Sequence, residues 1–231
     1  SVPIESTDKL IENKNVTPFG PWTYERYQGL DHHFSNEKGE SKTDLVLQNV
    51  MLWILVQEDQ RLRFALSNAF LKNPNDPILE EMSKQTAERA RLNLGFIKNI
   101  FEQGKFPLLS THGLNANRNA WILVQHADTE LEFQRRVLTF LELAHSRKDT
   151  NAADLAYLKD RVAVNEALRA GKNPIQFFGS QGRYNNKGCW EAWPIDDALH
   201  VDQLRQEYGL GLFAEYNRLM NEMTGIPECM K

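Results

Sequence analysis

With 231 residues, 41% of them hydrophobic and 25% charged, the chain has the make-up of an ordinary globular protein, which excludes collagen-like, low-complexity and wholly disordered classes. Lys and Arg number 27 against 31 Asp and Glu, a net charge of −4. A dedicated nucleic-acid binder needs a concentrated basic surface, so that class is excluded, and the longest apolar run, residues 50–56, falls well short of the ~18 residues of a membrane-spanning helix.

The chain opens Ser1-Val2-Pro3 with no initiator Met, which reads as a removed signal peptide or a trimmed terminus. Residues 1–40 are polar and broken by Pro3, Pro18, Gly20, Pro21, Gly29 and Gly39. They read as an N-terminal arm, pinned by Trp22, Tyr24 and Tyr27, ahead of a single helical domain over 41–231. A long helix is predicted over 41–71, with Thr43 or Asp44 at its cap and Leu45, Val46, Asn49, Trp53, Val56 and Gln60 at helical spacing. Asn73-Pro74-Asn75 is a turn. Asp76-Pro77 then starts a second helix that runs to Gln103 and stops at Gly104, with Gly95 marking a kink or a close helix crossing.

Residues 108–118 read as a loop. A third helix follows over 117–147, on the stripe Ala120, Leu123, Val124, Ala127, Leu131, Val137, Leu138, Leu141 and Ala144. A fourth spans 151–170. From 171 to 200 the composition turns to Gly, Pro, Asn and aromatics, a long ordered loop or a short hairpin of the kind that often carries function. Two short helices, about 201–208 and 213–223, close the chain. The fold class is mainly α, an irregular bundle of about four main helices.

Cys189 and Cys229 are the only cysteines. They leave two readings open, one disulfide in an oxidising compartment or two unpaired thiols. A periplasmic or secreted location is favoured over a cytoplasmic one. There is no CxxC, HExxH, Walker loop or dinucleotide fingerprint, so neither a metal nor a cofactor is expected.

Several segments occur in a recognisable order. They are Gly104-Lys105-Phe106-Pro107, Gln125-His126-Ala127-Asp128 with Phe133-Gln134 after it, Ala156-Tyr157-Leu158-Lys159-Asp160-Arg161-Val162, Gln176-Phe177-Phe178-Gly179-Ser180-Gln181, Pro194-Ile195-Asp196 and Gly209-Leu210. Over about 104–216 they resemble an uncharacterised bacterial family, a domain of unknown function, with residues 1–100 matching only loosely. Phe178 and Ser180 stand where the family pattern has Tyr and Thr. The resemblance implies a functional region and no reaction.

Four constellations can carry chemistry. His126 has Glu130 at i+4, where a carboxylate on the same helix face fixes the imidazole tautomer. Asp160 and Arg161, adjacent on a helix, diverge by about 100° and must find separate partners; Arg161 is a fork for an anion. Gln176, Ser180 and Gln181 offer uncharged hydrogen-bonding groups around Gly179, which admits a close approach to the backbone. Trp190 and Trp193, with Phe177, Phe178 and Tyr184, can wall a pocket or fill a small core under the loop.

The expectation is one shared polar pocket. In it His126, Glu130 and Asp160 carry proton chemistry, and Arg161, Gln176, Ser180, Gln181, Trp190 and Trp193 bind an anionic, peptide-like or sugar-like ligand. The alternative is a non-catalytic interaction or immunity-type protein that uses the aromatic loop as its surface.

Overall fold

The computed structural model describes residues 42–230; the expected arm over 1–40 lies outside them. The chain divides into two compact units at Leu47/Gln48. Of the first, the described part is Lys42–Leu47, the opening turns of helix α1. The second holds a helical bundle and a small hairpin.

The helices are α1 (Lys42–Lys72), α2 (Ile78–Glu102), α3 (Leu109–Gln125), α4 (Leu131–Ser146) and α5 (Ala152–Arg169), followed by strands β1 (Gly182–Tyr184) and β2 (Trp190–Ala192), and helices α6 (Val201–Glu207) and α7 (Phe213–Glu222). A 3-10 turn, Pro227–Met230, follows. The core takes Leu52 and Val56 from α1, Ile97 and Ile100 from α2, Ala120, Leu123 and Val124 from α3, Val137 and Leu141 from α4, and Leu155, Leu158 and Val162 from α5. Phe101 meets Phe106, Phe133 and Phe140 edge to face at 5.7–6.0 Å, the geometry that ring quadrupoles favour. Among the described residues no helix is long and apolar enough to cross a membrane.

Helix boundaries follow local chemistry where the chain supplies it. Asp76 Oδ1 accepts the Ile78 N–H at 3.0 Å, capping α2. At the other end Gly104 takes φ 69° and lets Lys105 N–H return to the Ile100 carbonyl at 2.9 Å, a left-handed C-terminal cap open to glycine. Gly95 produces neither expected feature: α2 runs unbroken through it, and a Cβ there would meet nothing within 4 Å.

The third helix differs most from expectation. The chain is helical from Leu109, bends at Gly113, stops at Gln125 and restarts at Leu131. The predicted stripe stays buried, but it is shared between two helices. What stops α3 is a pair of long-range contacts. Gln134 Nε2 donates to the Val124 carbonyl at 3.0 Å, and Asp128 is drawn across to α5 by Arg161. On α1 the buried face is Leu52, Val56 and Asp59; it keeps Val56 from the expected line, while Gln60 is exposed.

The 171–200 segment resolves into the short hairpin, with β1 and β2 antiparallel and Gly182 paired with Ala192. Cys189, just before β2, is disulfide-bonded to Cys229 in the terminal 3-10 turn, with Cα atoms 5.2 Å apart. The bridge closes a separation of 40 residues, and a loop of that size restricts the unfolded chain by about 4 kcal/mol. Reduction with dithiothreitol is therefore expected to lower the urea midpoint by the equivalent of roughly 2–4 kcal/mol. An unchanged midpoint after confirmed reduction would show that the bridge constrains nothing.

Candidate functional site

His126 is the first residue past α3, at its C-cap. That position turns the imidazole off the helix axis and toward α1. Its Nδ1 lies 2.6 Å from Asp59 Oδ2. The Asp59 side chain is 1% exposed and that of His126 18%. The same oxygen accepts from Arg63 Nε at 3.0 Å and Gln60 Nε2 at 3.3 Å, while Oδ1 is buried with no partner among the described residues. Burial pushes the Asp59 carboxyl up, but the contacts with His126 and Arg63 outweigh it and hold the pKa below the usual aspartate value.

An ionised carboxylate only accepts, so Nδ1 carries the proton. The neutral ring then presents an unprotonated Nε2, which makes no hydrogen bond to the described residues and is not shut away from solvent. A buried carboxylate that fixes the tautomer, behind an accessible imidazole nitrogen, is the local arrangement of a general base or acid. Arg63 lies on the wall of an open cleft between α1 and α2. Its Nε is committed to Asp59, and its two Nη nitrogens have no protein partner among the described residues.

Glu130 is not the partner of His126. The i,i+4 relation requires continuous helix, and α3 ends at Gln125. Glu130 instead takes Lys98 Nζ at 2.7 Å. Arg161 Nη1 meets both oxygens of Asp128 at 2.9 and 3.1 Å, while its Nε is buried with no partner among the described residues. Asn165 joins the same carboxylate at 3.2 Å, and Arg169 donates to the Asp128 carbonyl. One face of α5, at i, i+4 and i+8, thus grips the turn that presents His126.

Asp160 is fully buried. It accepts backbone N–H bonds from Phe177 at 2.7 Å, Phe178 at 3.0 Å and Ser180 at 2.9 Å. Burial raises its pKa, against the pull of those bonds. Gln176, also fully buried, donates to the carbonyls of Gln181 and Trp193 and accepts the Gln181 N–H, each at 2.8 Å. Gln181 Nε2 turns back on Ser180.

The space that Gly179 leaves is filled by protein. A Cβ there would stand 2.6 Å from the Phe213 ring and 2.9 Å from Ile195. Trp190 is buried and meets Tyr216 edge to face at 5.7 Å, and Trp193 lies under the Arg183 guanidinium at 4.6 Å. The aromatic group is therefore mainly a satellite core. Asp160, Arg161, Gln176, Ser180, Gln181, Trp190 and Trp193 have internal partners, and they share no hydrogen bond with His126.

Three residues went unmarked in the sequence. Asp59 and Arg63 sit at i and i+4 on α1, a spacing that a helical wheel shows, but their charges make them read as solvent-facing. Arg205 is 2% exposed. It donates to the carbonyls of Phe178 and Gly211, its ring neighbour is Tyr216, and burial pulls its pKa down. It locks the loop held by Asp160 onto α6.

No curated protein and no solved structure matches the chain. The family model that does match covers residues 45–228, from early α1 to the terminal 3-10 turn, and so reaches well upstream of the segments recognised in the sequence. The chain belongs to that family, a family of unknown function (DUF6624).

Proposed function

We propose that this protein is an acid–base enzyme, with His126 Nε2 as the proton carrier, Asp59 as the group that orients and charge-balances the ring, and Arg63 as the neighbouring cation. The observation that carries the reading is the 2.6 Å contact between Nδ1 and an all but fully buried carboxylate, behind an Nε2 left free for solvent or substrate. All three residues fall within the family-matched region. The reaction that fits is hydrolysis or proton transfer on a small substrate, in which Nε2 takes a proton from water or substrate and Asp59 stabilises the imidazolium. The disulfide supports an oxidising setting such as the periplasm or the exterior of a bacterial cell.

The test is turnover of a panel of esters, amides and glycosides. On any substrate turned over, His126→Gln and Asp59→Asn are each expected to lower kcat/KM by roughly 10²–10⁴-fold with the circular dichroism spectrum unchanged. Activity that survives His126→Gln would remove the imidazole from the mechanism, and a panel left wholly intact would favour the interaction protein.

A further inference from the structure

The cleft beside Arg63 has a volume of about 390 Å³, within the range of small-molecule sites. Its walls are Arg63, Leu66, Ser67 and Phe70 of α1 and Leu79, Ser83 and Thr86 of α2. The connection over 73–77 makes the two helices an antiparallel pair, so Phe70 and Leu79 stand toward the hairpin tip, and Arg63 and Thr86 stand deeper. The mouth is therefore apolar and the inner end is charged.

Going further inward along the same two faces come Asp59, one turn on from Arg63, and Asn93, two turns on from Thr86. Both are buried, at 1% and 2% exposure. Among the described residues Asp59 Oδ1 has no partner, and neither Oδ1 nor Nδ2 of Asn93 has one. Neither residue lines the cleft, and their unpartnered atoms are closed off from it.

Arg63 sets what the polar end of the cleft can hold. Arg63 gives one edge of its guanidinium to Asp59 through Nε, and the Nη1–Nη2 edge remains for a bidentate acceptor. Arg63 and Asp59 balance each other in charge, so the open Nη edge, a pair of parallel donors, is what calls for a two-oxygen acceptor such as a carboxylate. The apolar mouth of Leu66, Phe70 and Leu79 accepts a hydrocarbon body, and Phe70 is half exposed there.

We infer that the α1–α2 cleft is the binding site for a small amphipathic monocarboxylate, with its carboxylate on the Nη edge of Arg63 and its chain of about six to ten carbons lying toward the hairpin tip. This rests on the acid–base reading for what happens next, since the carboxylate would be delivered one helical turn from Asp59 and His126. It stands separately from that reading as a statement about binding.

Octanoate is the probe, and 1-octanol the matched molecule without charge, each titrated into the full chain by calorimetry and by protein NMR. Octanoate is expected to bind with a Kd of about 0.1–1 mM, at least tenfold more tightly than 1-octanol. Arg63→Gln should bring octanoate down to the level of the alcohol, Arg63→Lys should restore part of the difference, and Ser83→Trp, at an exposed wall position, should block both molecules. His126→Gln should leave octanoate binding within about threefold of the parent.

No octanoate binding up to 10 mM, parent binding equal to that of 1-octanol, octanoate binding at the parent's strength in Arg63→Gln, or binding that persists in Ser83→Trp would overturn the assignment. Failure of the acid–base reading would show differently, as turnover retained in His126→Gln with these affinities unmoved.

Discussion

Asp160→Ala is expected to cost about 3–5 kcal/mol of stability, a large share of what a domain of this size holds. The carboxylate is fully buried and organises three consecutive-region N–H groups, those of Phe177, Phe178 and Ser180, at 2.7–3.0 Å. Alanine leaves all three donors buried and unpaired, and each unsatisfied group costs roughly 1–3 kcal/mol without full additivity. The loss also spreads. The same loop carries the Phe178 carbonyl that receives Arg205 and the Ser180 carbonyl that receives the Tyr216 hydroxyl at 3.1 Å, so α5, α6 and α7 loosen together. Urea denaturation checks it: the midpoint should fall sharply. Arg161→Ala, which breaks a partly exposed pair with Asp128, should move the midpoint by about 1 kcal/mol or less. Equal costs for the two neighbours would mean that Asp160 has no special place in the loop.

Asp154→Asn is expected to act in the opposite direction and to stabilise the protein at neutral and alkaline pH. Asp154 stands in the first turn of α5, where an acidic side chain commonly returns to the backbone N–H of the cap residue. Here that N–H is taken: Asn151 N–H donates to Asn117 Oδ1 at 3.2 Å. Asp154 is left 5% exposed with Oδ2 buried and unpartnered. Burial pushes its pKa up to about 6 from 3.8, with Arg118 pulling it back in part.

A carboxyl whose pKa is higher in the fold than in the unfolded chain contributes its stability below the unfolded value, and loses it as pH rises through the folded one. The native state is thus relieved of the charge at pH 4 and carries the full penalty by pH 8. Two pKa units correspond to about 3 kcal/mol, and the favourable field at a helix N-terminus trims the effect to roughly 2 kcal/mol. The melting temperature of Asp154→Asn should match the parent near pH 4 and exceed it by several degrees at pH 8. A variant no more stable than the parent at pH 8 would show that Asp154 finds a partner when ionised.

Both predictions concern side chains whose helices were plain in the sequence and whose partners were not. Asp160 and Arg161 were expected to diverge, and they do, one into the 177–180 loop and the other to Asp128. Which groups they reach depends on contacts 17 and 33 residues away. The likeness to the family marked the Gln-His-Ala-Asp segment, and His126 within it holds the accessible imidazole. Its assumed partner Glu130 was four residues on because a continuous helix was assumed. The actual partner is 67 residues back. The expected line on α1 holds Val56, which is buried, but passes through Trp53 and Gln60 and leaves out Leu52 and Asp59, which share the buried face with Val56.

The amino-acid sequence alone determined the mainly helical class, the caps at Asp76 and Gly104 and the segment in which His126 lies. These rest on local terms, namely side-chain period, backbone freedom and short-range hydrogen bonds. Tertiary structure decided where α3 breaks, that Cys189 and Cys229 are bridged, and that Asp59 rather than Glu130 stands behind the imidazole. A buried charge takes whichever partner packing brings within hydrogen-bond reach, and that choice is made only when distant helices meet.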